Sequence, residues 1–293
     1  MGSGVGISLG AWITQAAQRL ERAGIESPRL EATVLAAHAF GWTRSEVLGR
    51  LFDPIPSGSE IEALLERRLQ REPLAYLLGQ REFYCRTFQV GPGVLIPRQE
   101  TEVLVEAALE VAPQRSRVAD LGTGSGCIGI TLALERPDLQ VTLIDLSPDA
   151  LSIARRNAEQ LGAKVEIHEG DGIEFFEASV SAPPSVGGWR HRDKAAFDLV
   201  VTNPPYVAFG DPLPPEVADH EPALALYAGE DGMAFYRRLA ASSAPWVLTE
   251  IGDGQSAAVA GVFEGHGWRL LSARNDLSGT PRVLEFRRGG LNT

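Results

Sequence analysis

The stretch RVADLGTGSGCIGITLALER, residues 117–136, decides the fold, because it predicts a strand, a glycine-rich loop and a helix in direct succession. Between strand and helix stand three alternating glycines, Gly122, Gly124 and Gly126. Glycines let the chain turn tightly and bring backbone N–H groups close to a ligand at the positive end of a helix. A strand that enters a helix through such a loop indicates a βα unit that binds a ligand at the loop.

The alternation of strand and helix continues along the chain from residue 99 onward. With the opening stretch, six further segments have the apolar character of strands: QVTLIDLS, KVEIHEGD, FDLVVTN, WVLTEIG, WRLLSARNDL and PRVLEFRR. Strands that take turns with helices favour right-handed crossovers and a parallel sheet covered on both faces. We therefore predict an α/β fold, a doubly wound, mostly parallel seven-stranded sheet, with ligands at the carboxyl ends of the strands.

The first part of the chain has a different pattern. AWITQAAQRLERAG and PRLEATVLAAHAFG are amphipathic at helical spacing, and each ends in a glycine that suits a helix stop. We predict a small helical-bundle domain at 1–80. A β-hairpin linker around Gly91-Pro92-Gly93 is expected at 81–97, and the main domain at 98–293. ASVSAPPSVGGWRHRDKAA, residues 178–196, has the composition of a mobile insertion.

Composition and charge exclude several classes of function. No apolar run approaches the roughly 18 residues of a membrane span, so we expect a cytoplasmic protein without a membrane partner. The two cysteines and five histidines lack metal-ligand spacing, so we expect no metal site. The net charge of −11 comes entirely from residues 91–293, which hold 17 basic and 28 acidic side chains. That excess of acid disfavours direct binding of nucleic acid.

Carboxylates follow the next two predicted strands. Asp145 stands where an acid can accept hydrogen bonds from the two ribose hydroxyls of an adenosine, and Asp171 could receive the adenine amino group. Cys127 replaces the last glycine of the dinucleotide fingerprint. Helix capping or simple solvation remains the alternative for either acid alone. Taken with the glycine loop, the two acids favour S-adenosylmethionine over a nicotinamide dinucleotide as the cofactor.

The strand FDLVVTN runs into Asn203-Pro204-Pro205-Tyr206. The prolines cannot continue a sheet ladder, and they hold the residue before them extended. We hypothesise that the Asn203 side-chain oxygen and the Pro204 carbonyl each accept one N–H of a planar amino group, while Tyr206 packs on its flat face. Orientation and electrostatics then drive attack on an activated methyl group, and no strong general base is required. The alternative is a stiff strand exit without a chemical role.

The combination of DLGTGSG, IDLSPDAL and NPPY resembles the class I, Rossmann-like S-adenosylmethionine-dependent methyltransferases that modify planar amino groups. Three more segments narrow the resemblance to the peptide chain release factor glutamine N5-methyltransferase family, over nearly the whole chain: REPLAYLLGQREFYCRTFQVGPGVLIPRQETE, HEPALALYAGEDGM and RNDLSGTPRVL. The resemblance implies a protein substrate, the glutamine of the Gly-Gly-Gln motif in bacterial class I release factors. It also implies S-adenosylhomocysteine as the second product.

The resemblance carries roles over to individual residues. The family's substrate site corresponds to Asn203, Pro204, Pro205 and Tyr206, of which Asn203, Pro204 and Tyr206 are expected to be catalytic. The cofactor contacts correspond to Asp120, Gly122, Thr123, Gly124, Ser125, Gly126, Asp145, Asp171, Gly172 and Asn203.

Two positions depart from the family pattern. Many members have a large aromatic residue where this chain has Gly172, so another side chain, with Ile173 as the candidate, is expected to stack on the adenine. Gln99 stands where members often have a proline, which leaves the linker less stiff.

Other functions remain open at this point. A related enzyme that methylates a glutamine of a ribosomal protein is a near competitor. Methylation of adenine N6 in nucleic acid would share the tetrapeptide but needs a flipped base and a basic groove. A non-catalytic binding protein would need neither the glycines nor the tetrapeptide. Arg98, Glu100, Glu102 and Glu250 could contact substrate or be structural; for the first three we favour the structural role.

Overall fold

The computed structural model describes residues 7–56, 58–176 and 197–289. The insertion predicted at 178–196 lies outside these ranges. The helices, in chain order, are α1 Leu9–Arg22, α2 Pro28–Phe40, α3 Arg44–Gly49, α4 Ile61–Leu69, α5 Leu74–Leu78, α6 Glu102–Val111, α7 Cys127–Glu135, α8 Pro148–Leu161, α9 Pro215–Ala218, α10 Ala223–Leu226, α11 Ala234–Ala241 and α12 Ser256–Gly265. The strands are β1 Gln80–Phe83, β2 Arg86–Gln89, β3 Arg117–Leu121, β4 Gln140–Asp145, β5 Val165–Glu169, β6 Leu199–Thr202, β7 Trp246–Glu250, β8 Trp268–Asn275 and β9 Pro281–Arg288.

The seven-stranded sheet confirms the predicted fold. Its strand order is β5-β4-β3-β6-β7-β9-β8, and the strands from β5 to β7 are parallel, whereas β9 is antiparallel to both of its neighbours. The order of the strands reverses at β3, which pairs with β4 on one side and β6 on the other. Crevices at such a switch point are where ligands bind in open parallel sheets.

Apolar layers cover both faces of this sheet. Leu104 of α6, Ile128 of α7 and Ala154 of α8 are buried in the core cluster on one face. Tyr236 of α11 and Phe263 of α12 are fully buried in the cluster on the other face. Because both faces of the strands are covered, β6 reads as a continuous apolar run and all four of its residues are buried.

The short hairpin turns at a different place from the one predicted. Strands β1 and β2 meet at Tyr84 and Cys85, whose φ angles are 49° and 56°, so the predicted turn at Gly91-Pro92-Gly93 is wrong. The central residues of a tight hairpin turn need positive φ, so Asn or Gly usually occupies them. Here the two positions are Tyr84 and Cys85. Packing of Phe83 edge-on against Phe88, at 6.0 Å between ring centroids, closes the hairpin instead.

The helical unit contains a segment from late in the chain. By contact it comprises the described residues up to Gln80 together with Leu213–His220. Arg68 is 5% exposed and pairs with Glu31 at 2.6 Å and with Glu216 of α9 at 3.1 Å. A buried guanidinium needs such partners, because an unpaired charge in the interior is strongly destabilising. The helical domain predicted at 1–80 did not include this segment.

No helix in the described residues combines the length and the apolar character that crossing a membrane requires. The same residues contain no group of three or more His, Cys, Asp or Glu side chains that could hold a metal ion.

Candidate active site

A cavity of about 410 Å³ opens at the carboxyl ends of the central strands. Residues predicted to bind the cofactor line it from four neighbouring strand ends, since β5, β4, β3 and β6 lie side by side. The predicted residues on its wall are Gly122, Gly124, Asp145, Asp171, Gly172 and Asn203. The cavity therefore lies at the switch point of the sheet, as the strand pattern predicts.

The glycine loop is built by backbone conformation. Gly122, Gly124 and Gly126 have φ angles of 65°, 56° and 83°, a region that residues with a Cβ rarely adopt. Gly126 is the N-cap of α7, so the N–H groups at the start of that helix lie beside the loop. The sequence pattern thus predicts the loop because glycine is the residue that its conformation requires.

Asp120 supports the loop from below. It is fully buried, and its Oδ2 accepts hydrogen bonds from the Thr123 hydroxyl at 2.5 Å and the Gly129 N–H at 2.9 Å. Burial raises the pKa of Asp120 to about 6. Asp120, Thr123, Ser125 and Gly126 are not on the cavity wall, so of the residues predicted to touch the cofactor these four shape the loop.

Gly129 is a residue that the sequence analysis missed. A Cβ at this position would lie 2.3 Å from Leu143 Cδ2 and 3.0 Å from Asp120 Oδ2. Only glycine lets α7 approach β3 and β4 this closely, the task of the last glycine in the dinucleotide fingerprint. The signal was present in the sequence, two residues beyond Cys127.

Asp145 is tied to the glycine loop. Its Oδ2 accepts the Gly124 N–H at 2.8 Å, and its Oδ1 accepts the Ser147 N–H at 2.9 Å. Burial raises the pKa of Asp145, and these backbone hydrogen bonds oppose the rise. Each carboxylate oxygen keeps a lone pair, so the side chain can still accept from a diol in the cavity.

Asp171 already has partners within the protein. One oxygen accepts the Ile173 N–H at 3.2 Å, and the other pairs with Arg238 of α11, which also lines the cavity. Arg238 was not predicted, because nothing in the sequence near Asp171 indicates that α11 packs there.

The structure explains Gly172 and corrects the expectation for Ile173. A Cβ at Gly172 would lie 2.4 Å from Leu121 Cδ2, so a larger residue here would require the Leu121 side chain to move. Ile173 is 1% exposed and belongs to the core, so it is not available to stack on a ligand. Leu146 and Phe235 supply the apolar wall instead, and Leu146 is 51% exposed.

Asn203 leaves the end of β6 with its amide held on one side. Its Nδ2 donates to Thr101 Oγ1 at 3.2 Å. Its Oδ1 is buried and has no hydrogen-bond partner among the residues that the structure describes. An acceptor buried without a partner costs about 1–3 kcal/mol, so a bound ligand that donates an N–H would recover that energy.

The residues after Asn203 form a rigid corner. Pro204 is buried and Pro205 lines the cavity. The Tyr206 carbonyl accepts a hydrogen bond from Gln255 Nε2 at 2.9 Å, and its ring packs so closely on Gly252 that a Cβ there would lie 3.0 Å away. Burial raises the pKa of Tyr206 to about 12, so the phenol is neutral at physiological pH.

Structural partners account for two of the charged residues left open by the sequence. Arg98 donates to Glu221 Oε1 at 2.6 Å, and the Ile96 N–H donates to Glu221 Oε2 at 3.3 Å. Glu102 accepts the Tyr84 N–H at 2.8 Å. Both contacts hold the segment before α6 in place.

Comparison with known proteins adds independent information. Residues 11–79 match the model of the PrmC N-terminal domain, and residues 98–212 match that of the methyltransferase small domain. A release factor glutamine methyltransferase of Geobacter sulfurreducens is 40% identical over 282 residues, covering 92% of this chain and 93% of the relative. The chain belongs to the release factor glutamine methyltransferase family. The protein of the same name from Neisseria gonorrhoeae is 42% identical, and the alignment covers 87% of this chain and 92% of that relative.

Membership confirms the family predicted from the sequence and makes the chain a methyltransferase. Among solved structures, the hMettl16 catalytic domain in complex with the MAT2A 3'UTR hairpin 6 superposes with a TM-score of 0.50 at 15% identity. That match covers 70% of this chain and 77% of the other, and it supports the fold alone.

Proposed function

We propose that this protein transfers the methyl group of S-adenosylmethionine to the side-chain nitrogen, N5, of the glutamine in the Gly-Gly-Gln motif of bacterial class I release factors. S-adenosylhomocysteine is then the second product. Two release factor glutamine methyltransferases at 40% and 42% identity, aligned over most of the chain, support this substrate. The chemistry of the cavity supports the reaction.

The observation that carries the proposal concerns Asn203, which lines the cavity and whose buried Oδ1 has no partner in the described residues. A primary carboxamide has two N–H donors and a planar shape. Asn203 Oδ1 accepts one N–H, and the Pro204 carbonyl accepts the other. Two acceptors fixed at a strand end orient the nitrogen, which matters because amide nitrogens are weak nucleophiles and correct orientation is a large part of the barrier.

The residues on the other side of the cavity fit S-adenosylmethionine. Asp145 has lone pairs left for a ribose diol, and the left-handed glycines leave room for close approach of backbone to a ligand. Leu146 and Phe235 offer apolar surface for a base. When bound, S-adenosylmethionine supplies an electrophilic methyl group on a positively charged sulfur.

The chain's own residues then have distinct tasks. Asn203 and Pro204 bind and orient the amide, and the neutral Tyr206 ring bounds the corner in which the amide lies. The amide proton leaves through a carbonyl or water, so no side chain acts as a strong base. Arg98 and Glu102 act structurally, because Arg98 pairs with Glu221 and Glu102 accepts the Tyr84 N–H.

The partner in this proposal is a protein. Residues 91–293 hold 28 acidic and 17 basic side chains, which disfavours direct contact with a nucleic-acid backbone. Release factors act in translation, so the reaction belongs to the cytoplasm. The predicted boundaries, with a substrate-recognition domain at 1–80, a linker at 81–97 and the methyltransferase domain at 98–293, are retained as part of the proposal.

The test is incubation of the purified enzyme with isotopically labelled S-adenosylmethionine and a purified class I release factor. Mass spectrometry of the Gly-Gly-Gln peptide should show one added methyl group on the glutamine amide. A release factor with that glutamine changed to alanine is the control and should gain no label. Label that appears instead on ribosomal protein or on an adenine-containing oligonucleotide in parallel tubes would contradict the proposal.

A further inference from the structure

We propose that Thr101 and Glu250 are positioning residues that hold the Asn203 amide with its oxygen turned toward the substrate. The inference rests on the proposed function, in which Asn203 Oδ1 accepts an N–H of the glutamine. An amide turned by 180° would present its NH₂ group to the substrate and repel the donor that it should bind. The orientation of this one side chain therefore matters for turnover.

The Thr101 hydroxyl does not cap the helix that follows it and is therefore available to Asn203. The residue ends the 3-10 turn Gln99–Thr101 and occupies the N-cap position of α6, but its side chain makes no capping hydrogen bond. It is 2% exposed. Its Oγ1 instead accepts the Asn203 Nδ2–H at 3.2 Å, although the two residues are 102 positions apart in the chain.

Glu250 lies beside Asn203 at the carboxyl ends of neighbouring strands. Strands β6 and β7 run parallel with Thr202 opposite Thr249, so Asn203 and Glu250 are the next residue on each strand. Glu250 is 2% exposed, and the Thr101 side chain lies close enough to favour its carboxylate and oppose the rise of its pKa. Its Oε2 is buried without a partner in the described part of the chain. A buried carboxylate oxygen without a donor is costly, so a structural role alone does not account for it.

The single proton of a hydroxyl makes this arrangement directional. An ionised carboxylate can only accept, so Thr101 must give its one proton to Glu250. Thr101 is then left with lone pairs only, and Asn203 has to meet it with N–H. The amide oxygen consequently points away from Thr101 and stays available to the substrate, which is the orientation that the structure shows.

The charge state of Glu250 controls the direction of this chain of hydrogen bonds. Burial raises the pKa of Glu250 to about 7, and Glu100 adds to the rise, whereas the Thr101 hydrogen bond and Arg282 and Arg98 oppose it. A neutral carboxyl can donate to Thr101, which frees the Thr101 proton to bind Asn203 Oδ1 and turn the amide over. The groups that face Glu250 are Arg98, Glu100, Thr101, Cys127, Tyr206, Tyr236 and Arg282.

Substitution of Thr101 tests the inference by rate. Thr101→Val keeps the shape but removes the hydroxyl, and we expect kcat at saturating S-adenosylmethionine to fall on the order of 10- to 100-fold. Affinity for the cofactor, measured by calorimetry, should stay within about twofold. Thr101→Ser restores the hydroxyl and should recover most of the rate. A Thr101→Val enzyme as fast as wild type, or a Thr101→Ser enzyme as slow as Thr101→Val, would overturn the inference.

A second readout does not depend on turnover. The chain has four asparagines, so protein labelled with nitrogen-15 at asparagine gives few side-chain NH₂ signals, and Asn203→Ala identifies the one of interest. That signal should shift with pH around the titration of Glu250 in the wild type, and the shift should vanish in Glu250→Gln. The wild-type kcat should fall at acidic pH as Glu250 becomes neutral, and this fall should be absent in Glu250→Gln. A pH-dependent signal that persists in Glu250→Gln would sink the idea.

These outcomes separate the inference from the proposed function. Wild-type enzyme that leaves the Gly-Gly-Gln peptide unmethylated contradicts the function. Wild-type enzyme that methylates it, together with an inactive Asn203→Ala and a fully active Thr101→Val, contradicts only the roles of Thr101 and Glu250.

Discussion

The two sides of the cavity are built on different principles. The donor side, named for the methyl donor, is defined as the loop Gly122–Gly126 with Asp145. Its contacts join residues close in sequence, since the Gly124 N–H donates to an acid 21 positions away. The acceptor side, defined as Thr101, Asn203 and Glu250, joins side chains 102 and more positions apart. The donor side depends on backbone conformation, whereas the acceptor side depends on the direction of individual side-chain hydrogen bonds. Substitutions on the donor side should therefore change the cofactor dissociation constant, and substitutions on the acceptor side should change kcat.

The largest effect is expected for Asn203→Ala on the acceptor side. Loss of the oriented acceptor should reduce kcat by about 10²- to 10³-fold, by analogy with removal of one hydrogen-bonding group from a preorganised site. Cofactor affinity should stay within about twofold, because Asp145 and the loop are untouched. Initial rates at saturating cofactor and calorimetry measure the two quantities. An active Asn203→Ala enzyme would falsify the role assigned to Asn203. A loss of cofactor affinity along with the rate would show that the two sides do not act separately.

The pH dependence of stability is the next effect, and it comes from Glu250 on the acceptor side and from Asp120, which supports the loop of the donor side. Burial raises the pKa of Glu250 to about 7 and that of Asp120 to about 6. Above pH ~4.5 both are largely ionised in the unfolded chain. The folded protein thus binds more protons up to pH ~7, and its free energy of unfolding falls as pH rises through this window.

Urea denaturation at several pH values measures this slope. Glu250→Gln should remove the contribution of Glu250 to this pH dependence, on the order of 2–3 kcal/mol between pH ~4.5 and ~7.5. The variant should be more stable than wild type at the upper end of that range. Asp120→Asn should remove the share that ends near pH 6. Stability that rises over this range, or a slope unchanged in both variants, would contradict the two raised pKa values.

Asp145→Ala should separate the donor side from the acceptor side. The variant loses the acceptor for a ribose diol and the partner of the Gly124 N–H, so the cofactor dissociation constant should rise about 10- to 100-fold. The rate at saturating cofactor should be largely retained. Asp149→Ala, an exposed carboxylate on the same wall, is the matched control and should change affinity little. Equal affinity of Asp145→Ala and wild type would count against the assignment.

Gly172→Ala is expected to have the smallest effect, on stability. The new methyl would meet Leu121 Cδ2 at 2.4 Å, so the free energy of unfolding should fall by about 1–2 kcal/mol through strain. Gly261→Ala in α12 is the control, because no atom lies within 4 Å of its added methyl. That change should leave stability unchanged or raise it by about 0.5–1 kcal/mol through helix propensity. Denaturant midpoints decide, and a Gly172→Ala protein as stable as wild type would show that Leu121 simply moves aside.

The sequence predicted more of the donor side than of the acceptor side. Gly122, Gly124 and Asp145 were identified by their place after predicted strands, and all three line the cavity. Of the acceptor side only Asn203 was assigned, because two prolines make its position unusual within a short window. Local patterns report local structure, and the donor side is mostly local.

The misses have physical causes. Thr101 stands between Glu100 and Glu102, and no local pattern predicts that its hydroxyl meets Asn203, which is 102 positions away. Glu250 ends a strand like many solvated acids, and only its 2% exposure reveals that it is buried. The hairpin was misplaced because Tyr84 and Cys85 hold positive φ through packing of Phe83 on Phe88 instead of through glycine.

The sequence by itself determined the family, the order of strands and helices and the ligand-binding loop. The family follows from the resemblance of its motifs, whereas the other features follow from periodicity and from glycines and prolines whose backbone limits are intrinsic. Tertiary structure alone decided that Leu213–His220 joins the helical unit, that Arg238 pairs with Asp171, and that Thr101 stands between Asn203 and Glu250. Such contacts depend on which side chains the packed sheet brings together, and spacing along the chain does not encode distance between remote strands.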